Sequence, residues 1–102
     1  MSPALDITID RVTVSPRRRT AYLDGVDIDL TAREFSLLYF LMDKAGRIVS
    51  REELAGEVWK DERALQSNTI DVSICHLREK IGDDRRKIIS SIRGVGYFYA
   101  MQ

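Results

Sequence analysis

Cysteine occurs once in this chain of 102 residues. Cys75 therefore has no intrachain disulfide partner, which fits a reducing compartment. No apolar run approaches the ~20 residues that a membrane helix needs. No basic n-region followed by an apolar h-region is present, so no secretory signal is expected. The expected location is the cytoplasm. Net charge is also missing, with 16 Lys and Arg balanced by 16 Asp and Glu. A zero total argues weakly against a nucleic-acid partner, but the distribution is uneven. Residues 1–66 hold 10 basic and 12 acidic side chains, and residues 67–102 hold 6 and 4. The slight basic excess sits in the C-terminal third, where a local field can act.

The usual constellations of catalysis are lacking too. Cys75 and His76 are neighbours on a predicted helix, so their side chains diverge by roughly 100° and make a poor nucleophile and base pair. One His and one Cys cannot build a zinc site without carboxylates or a second chain. The stretch RGVG has neither the G-K-[ST] of a phosphate loop nor a full G-x-G-x-x-G. Glu52-Glu53 falls in the first turn of a predicted helix, where the dipole favours carboxylates, and Asp83-Asp84 falls in a loop. No enzyme activity, cofactor or metal is expected.

What is present is a clear grammar of elements. At 44% apolar and 31% charged, the composition suits one small globular domain with a modest core. Leu5, Ile7 and Ile9 alternate with Asp6, Thr8 and Asp10, and Val12 and Val14 continue the alternation. Pro16 and three arginines mark a turn. Asp24-Gly25 between alternating segments predicts a two-residue hairpin, because both turn positions need positive φ. These residues predict an antiparallel sheet of about four strands over about residues 4–30.

The period then changes to helical. Thr31 and Glu34 form a T-x-x-E capping box, followed by Phe35, Leu38, Leu41, Met42 and Ala45, with Gly46 as the stop. Ser50 and Glu53 repeat the box, with Val49 and Leu54 as a hydrophobic staple. A polar connection, residues 60–66, leads to a third helix with Ile70, Ile74, Leu77 and Ile81 as its buried stripe. Gly94 and Gly96 supply the turn of a closing hairpin. Helices are expected at about 32–45, 51–59 and 68–81, and the hairpin at about 86–100. The expected class is α+β: a winged helix-turn-helix with an N-terminal antiparallel sheet, three helices and a C-terminal β-hairpin wing, in one domain over residues 4–101.

Opposite the stripe of the third helix lie Asn68, Thr69, Val72, Cys75, His76 and Glu79, with Ser73, Arg78 and Lys80 at its flanks. A plain solvated face would be rich in long Lys, Glu and Gln. The short chains here let a backbone approach closely, and Val, Thr and Ser can meet thymine methyls or base edges in a major groove. The competing reading is that this face packs on a protein partner. Arg93, in SIRGVGY at the wing tip, is placed to enter a narrow minor groove; its bland reading is an ordinary turn arginine. Asp71 reads more readily as a structural pairing residue, and Trp59 has a core reading in which its indole N–H reaches outward.

The stretches LTAREFSLLYFLMDKAGRIVSREELAGEVW, NTIDVSICHLREKIG and IISSIRGVGYFY, taken together, resemble the effector domain of OmpR/PhoB-type response regulators. The resemblance runs from about residue 5 to residue 100. It implies a bacterial transcription factor that binds specific double-stranded DNA, usually at direct repeats as a head-to-tail homodimer. It also implies a receiver domain and a sensor kinase in the full-length protein, with the receiver absent from this chain and Met1-Ser2-Pro3 a linker remnant. Carried over by position, Val72, Ser73, His76 and Arg93 are the base-contacting residues. Trp59, Asn68, Thr69, Arg78, Ser91 and Tyr97 are the phosphate-contacting ones. Lys60, Asp61, Glu62 and Arg63 match a loop that touches RNA polymerase in some members. Some members have arginine where this chain has Asn68, Cys75 and His76, so weak monomer binding with a shallow salt dependence is expected. His76 can donate to guanine or to a phosphate, more strongly when protonated. The alternative is a protein-interaction module on the same fold; a hydrolase using Cys75 ranks far lower.

Overall fold

The computed structural model describes residues 5–101. The expected linker remnant Met1-Ser2-Pro3 and the expected first domain residue, Ala4, lie outside the described residues. Four short strands come first: β1 (Ile7–Ile9), β2 (Val12–Ser15), β3 (Thr20–Leu23) and β4 (Val26–Asp27). They pair in sequence order as an antiparallel meander. Asp24 and Gly25 take φ of 53° and 83°, the pair of positive values that a tight primed turn requires. Alternation along β2 turns Val12 and Val14 into the core. Leu5 does not share that fate. It precedes the first ladder pair, Ile7 with Val14, and stays 77% exposed.

Helix α1 (Ala32–Asp43) begins with the full capping box. The Thr31 Oγ1 accepts from the Glu34 N–H at 3.1 Å, and the Glu34 carboxylate accepts from the Thr31 N–H at 2.9 Å. These bonds satisfy two of the amides that a helix start leaves unpaired. The helix buries Phe35, Leu37, Leu38, Leu41 and Met42. It ends two residues short of the expected Ala45. Gly46, at φ 87°, reverses the chain and donates its N–H to the Tyr99 carbonyl at 2.9 Å.

Between the first two helices lies a strand that the sequence pattern did not announce, β5 (Ile48–Ser50). Val49 and Leu54, the expected staple pair, are both buried in one core cluster. Val49 also pairs with Tyr97 in the closing hairpin. Three residues are too few to reveal a period of two. Ser50 does cap α2 (Arg51–Leu54), accepting from the Glu53 N–H at 3.0 Å. The returning half of that box is replaced, because Arg47 donates to the Glu53 carboxylate at 2.6 Å.

The expected second helix is present but changes character. From Ala55 to Trp59 it widens into a π-helical turn, closed by Lys60 in the left-handed region at φ 56°. Gly56 lies in this turn, where its low helix propensity weakens the regular i to i+4 ladder. The connection after it is also more ordered than expected, with a 3-10 turn at Glu62–Gln66 that buries Ala64. Helix α3 (Thr69–Lys80) follows. Its stripe of Ile70, Ile74 and Leu77, with Ile81 just beyond, is buried as the spacing predicts.

Strands β6 (Ile89–Ile92) and β7 (Gly96–Tyr99) close the chain, and β7 lies between β5 and β6. Only Gly94 supplies a left-handed turn position, at φ 75°. Gly96 serves another purpose. It belongs to β7, and a Cβ there would sit 2.0 Å from the Val49 carbonyl oxygen. The glycine is needed for close strand approach, not for the turn. Both sheets and all three helices contribute to one cluster of buried side chains. The architecture is the winged helix-turn-helix with an N-terminal sheet.

Candidate nucleic-acid interface

Burying one stripe of α3 fixes what its other side presents. Asn68, Thr69, Cys75, His76 and Glu79 are exposed, and Val72 is 39% exposed. Ser73 is half-buried at the edge of this face. No Lys or Arg belongs to it. The cations at the end of the helix are both engaged elsewhere.

Lys80 turns toward α1. Its ammonium donates to the Glu34 carboxylate at 2.6 Å and to the Asp29 carbonyl at 3.1 Å. Burial alone would raise the Glu34 carboxyl, but Lys80 and the Thr31 N–H and hydroxyl outweigh it. The group titrates below the usual glutamate range.

Arg78, carried over as a phosphate contact, is only 7% exposed. Its guanidinium points into the domain. It donates to the Ile89 carbonyl at 3.0 and 2.7 Å and to the Ser91 Oγ at 2.9 Å. Asp83 supports the same corner, accepting from the backbone N–H groups of Lys87, Ile88 and Ile89. Arg78 thus staples the end of α3 to the wing. Its five donors are the reason an arginine suits a carbonyl and a hydroxyl together.

Tyr97 is likewise turned inward, at 3% exposed. Its hydroxyl donates to the Asp71 carboxylate, and the Arg51 guanidinium reaches both groups. Burial and the Asp71 charge push the Tyr97 hydroxyl up to about 12. The bond from Tyr97 and the Arg51 charge hold Asp71 below the usual carboxylate range. Asp71 therefore has the structural pairing role anticipated for it. Arg51 is a residue that sequence reasoning did not single out. Nothing at the first position of a short helix signals a partner 20 residues away.

The remaining expected contacts divide by position. Trp59 ends the π-helical turn with its indole N–H buried and unpartnered among the described residues, so it does not reach outward. The Arg33 guanidinium lies 5.0 Å from its ring. Asn68 precedes α3 without capping it through its side chain. The Ser67 Oγ takes that part, accepting from the Thr69 N–H at 3.3 Å. A depression of about 310 Å³ opens beside this first turn, bounded by Trp59, Asp61, Arg63, Ala64, Ser67 and Thr69. Lys60, Glu62 and Arg63 are exposed, while Arg63 folds back on Asp61 at 3.0 Å.

At the wing tip Arg93 is exposed beside Gly94 and Val95. It makes no side-chain hydrogen bond or ion pair to the described residues. Ser91 is exposed on β6 and accepts from Arg78. The structure thus brings Asn68, Thr69, Val72 and His76 onto one outward face, with Arg93 on a separate projection. Arg78, Tyr97 and the Trp59 indole N–H are withdrawn behind them. Among the described residues no group of three or more His, Cys, Asp or Glu is arranged to hold a metal ion. Among the described residues no helix is long and apolar enough to cross a membrane.

Residues 25–99 match the family described as transcriptional regulatory protein, C terminal. Response regulator ArlR of Staphylococcus aureus is 34% identical over 92 residues, covering 89% of this chain and 42% of that protein. The chain thus spans about two-fifths of the length of the curated relatives it matches. The DNA-binding domain of CpxR from E. coli superposes with a TM-score of 0.86 at 35% identity, covering 98% of both chains. The RstA DNA-binding domain of Klebsiella pneumoniae, solved in complex with the RstA box, has a TM-score of 0.86 at 27% identity. That match covers 95% of this chain and 98% of that one.

Proposed function

The chain belongs to the transcriptional regulatory C-terminal family, OmpR/PhoB type, and from that premise we propose which of its surfaces meets DNA and how. The family function is DNA binding in the regulation of transcription. For this chain, α3 enters the major groove with Val72, Ser73 and His76 toward the base edges. Arg93 enters the neighbouring minor groove. Asn68, Thr69 and Ser91 hold phosphates and set the register, while the base-facing side chains read sequence.

One observation carries this reading. The outward face of α3 is made of short side chains, and the only exposed arginine of the wing hairpin projects from its tip. A helix that presents Thr, Val, Ser and Cys can seat deeply in a groove. Longer side chains would reach the base edges too, but would hold the helix backbone further from them. The inward Arg78, Tyr97 and Trp59 then shape the interface from behind.

The whole protein is proposed to add a receiver domain that answers to a sensor kinase. Head-to-tail pairing on direct repeats would compensate for weak binding by one domain. The exposed segment with Lys60, Glu62 and Arg63, beside Asp61, is a proposed contact for RNA polymerase.

The test is selection of the domain against random duplex DNA, followed by titration of the enriched duplex at two salt concentrations. Enrichment of a direct repeat is expected. Arg93→Ala should weaken binding about tenfold, the range for one base-reading arginine. Failure of the folded domain to bind any duplex at low salt would assign the α3 face to a protein partner instead.

A further inference from the structure

Helix α3 and the wing are joined by a polar network in which Ser91 is the one proposed DNA-contacting residue. Asp71 and Arg78 are seven residues apart on α3, about two turns, so they share one side of the helix. Each reaches the hairpin. Asp71 accepts from the Tyr97 hydroxyl on β7. Arg78 donates to the Ile89 carbonyl and the Ser91 hydroxyl on β6. Arg51 joins the first of these from α2, donating to Asp71 at 3.0 Å and to the Tyr97 hydroxyl at 3.4 Å.

The aromatic ring completes the arrangement. The Arg51 guanidinium lies 5.2 Å from the Tyr97 ring centroid, and that of Arg78 lies 5.9 Å away. Two cations over one ring are attracted to its negative face. Tyr97 is thus held by its hydroxyl at one end and by two guanidinium groups over its face. It is also fixed through the backbone, since β7 pairs with both β5 and β6. The wing cannot swing about its base without breaking this set.

We infer that Arg51, Asp71 and Tyr97 form a positioning clamp that sets the spacing between the base-reading face of α3 and Arg93 at the wing tip. The inference rests on the DNA-binding reading above. A helix in a major groove and an arginine in the next minor groove must be held at one separation. With the clamp intact, both contacts are made together without ordering the wing on binding. With the clamp open, Arg93 still exists but is no longer presented at the required distance.

The decisive measurement is a double-mutant cycle on the enriched duplex, with each variant kept well below its melting temperature. The four proteins are the parent, Arg93→Ala, Arg51→Met and the double variant. Arg93→Ala is expected to weaken binding about tenfold in the parent. It should weaken binding by no more than about twofold in the Arg51→Met background, a clear departure from additivity. A purely structural role for Arg51 would lower the melting temperature and leave the Arg93 penalty intact. If Arg51→Met does not fold, Tyr97→Phe takes its place, since it removes one oxygen and keeps the ring. Equal Arg93 penalties in both backgrounds would overturn the clamp and leave the DNA-binding reading standing. Absence of duplex binding by the parent would overturn both.

Discussion

At the residue scale, individual side chains have been moved from solvent-facing roles to internal ones by the partners that the fold supplies. Glu34 shows how. Its place three residues after Thr31 marks it as a capping residue, and it does cap. It is also buried against Lys80 from a helix 46 positions later. Its carboxyl is held below the usual glutamate range. A group whose pKa falls on folding contributes stability above its unfolded pKa and loses it as pH drops through the folded value. Glu34→Gln is therefore expected to destabilise the domain by about 2 kcal/mol at pH 7, the scale of a hydrogen bond to a charged group. The difference from the parent should be full above ~pH 5 and shrink in more acid solution. Chemical unfolding at a series of pH values measures it directly. A pH-independent difference would mean that packing, not charge, accounts for the loss.

At the element scale, two glycines make opposite predictions. Gly96 lies where β7 crosses close to β5, and any Cβ meets the Val49 carbonyl. Gly96→Ala must spread the three-stranded sheet, and a loss of about 3 kcal/mol is expected from such overpacking. Gly56 has open space around its Cβ position and lies in the π-helical turn. Gly56→Ala should stabilise the domain by about 0.5–1 kcal/mol, mainly by restricting the unfolded chain. Thermal unfolding of the pair would distinguish a glycine required by contact from one that is merely tolerated. The sequence pattern placed Gly96 in the hairpin turn and could not show its close approach to Val49. Close approach depends on a strand nearly 50 residues away, and that strand is itself too short to see in the pattern.

On the scale of the whole molecule, the distribution of charge governs how the domain should behave toward a polyanion. The outward face of α3 carries no Lys or Arg, and the two cations at its end are committed within the domain. Few phosphates can then be neutralised from the helix itself. The log–log dependence of affinity on salt for one domain is expected to have a slope smaller in magnitude than about 4. A titration across a salt series tests this, and a steep slope would mean that cations outside α3 and the wing tip take part.

The elements with enough length to show a period were legible from the residues alone. The Asp24-Gly25 hairpin, the capped α1, the buried stripe of α3 and the short-chained face opposite it all follow from local spacing and turn chemistry. So does the winged helix-turn-helix order, because each of these longer elements announces its own type. The tertiary structure alone decided β5, the widening of the second helix, and the inward turn of Arg78, Tyr97 and the Trp59 indole. Three of these depend on a contact between distant positions: β5 on Val49 with Tyr97, the Tyr97 hydroxyl on Asp71, and the Arg78 guanidinium on Ile89. Helical and strand periods record which face of an element is apolar. They do not record which neighbour a polar group meets, and it is that neighbour which separates a residue left on the outward face from one held within the domain.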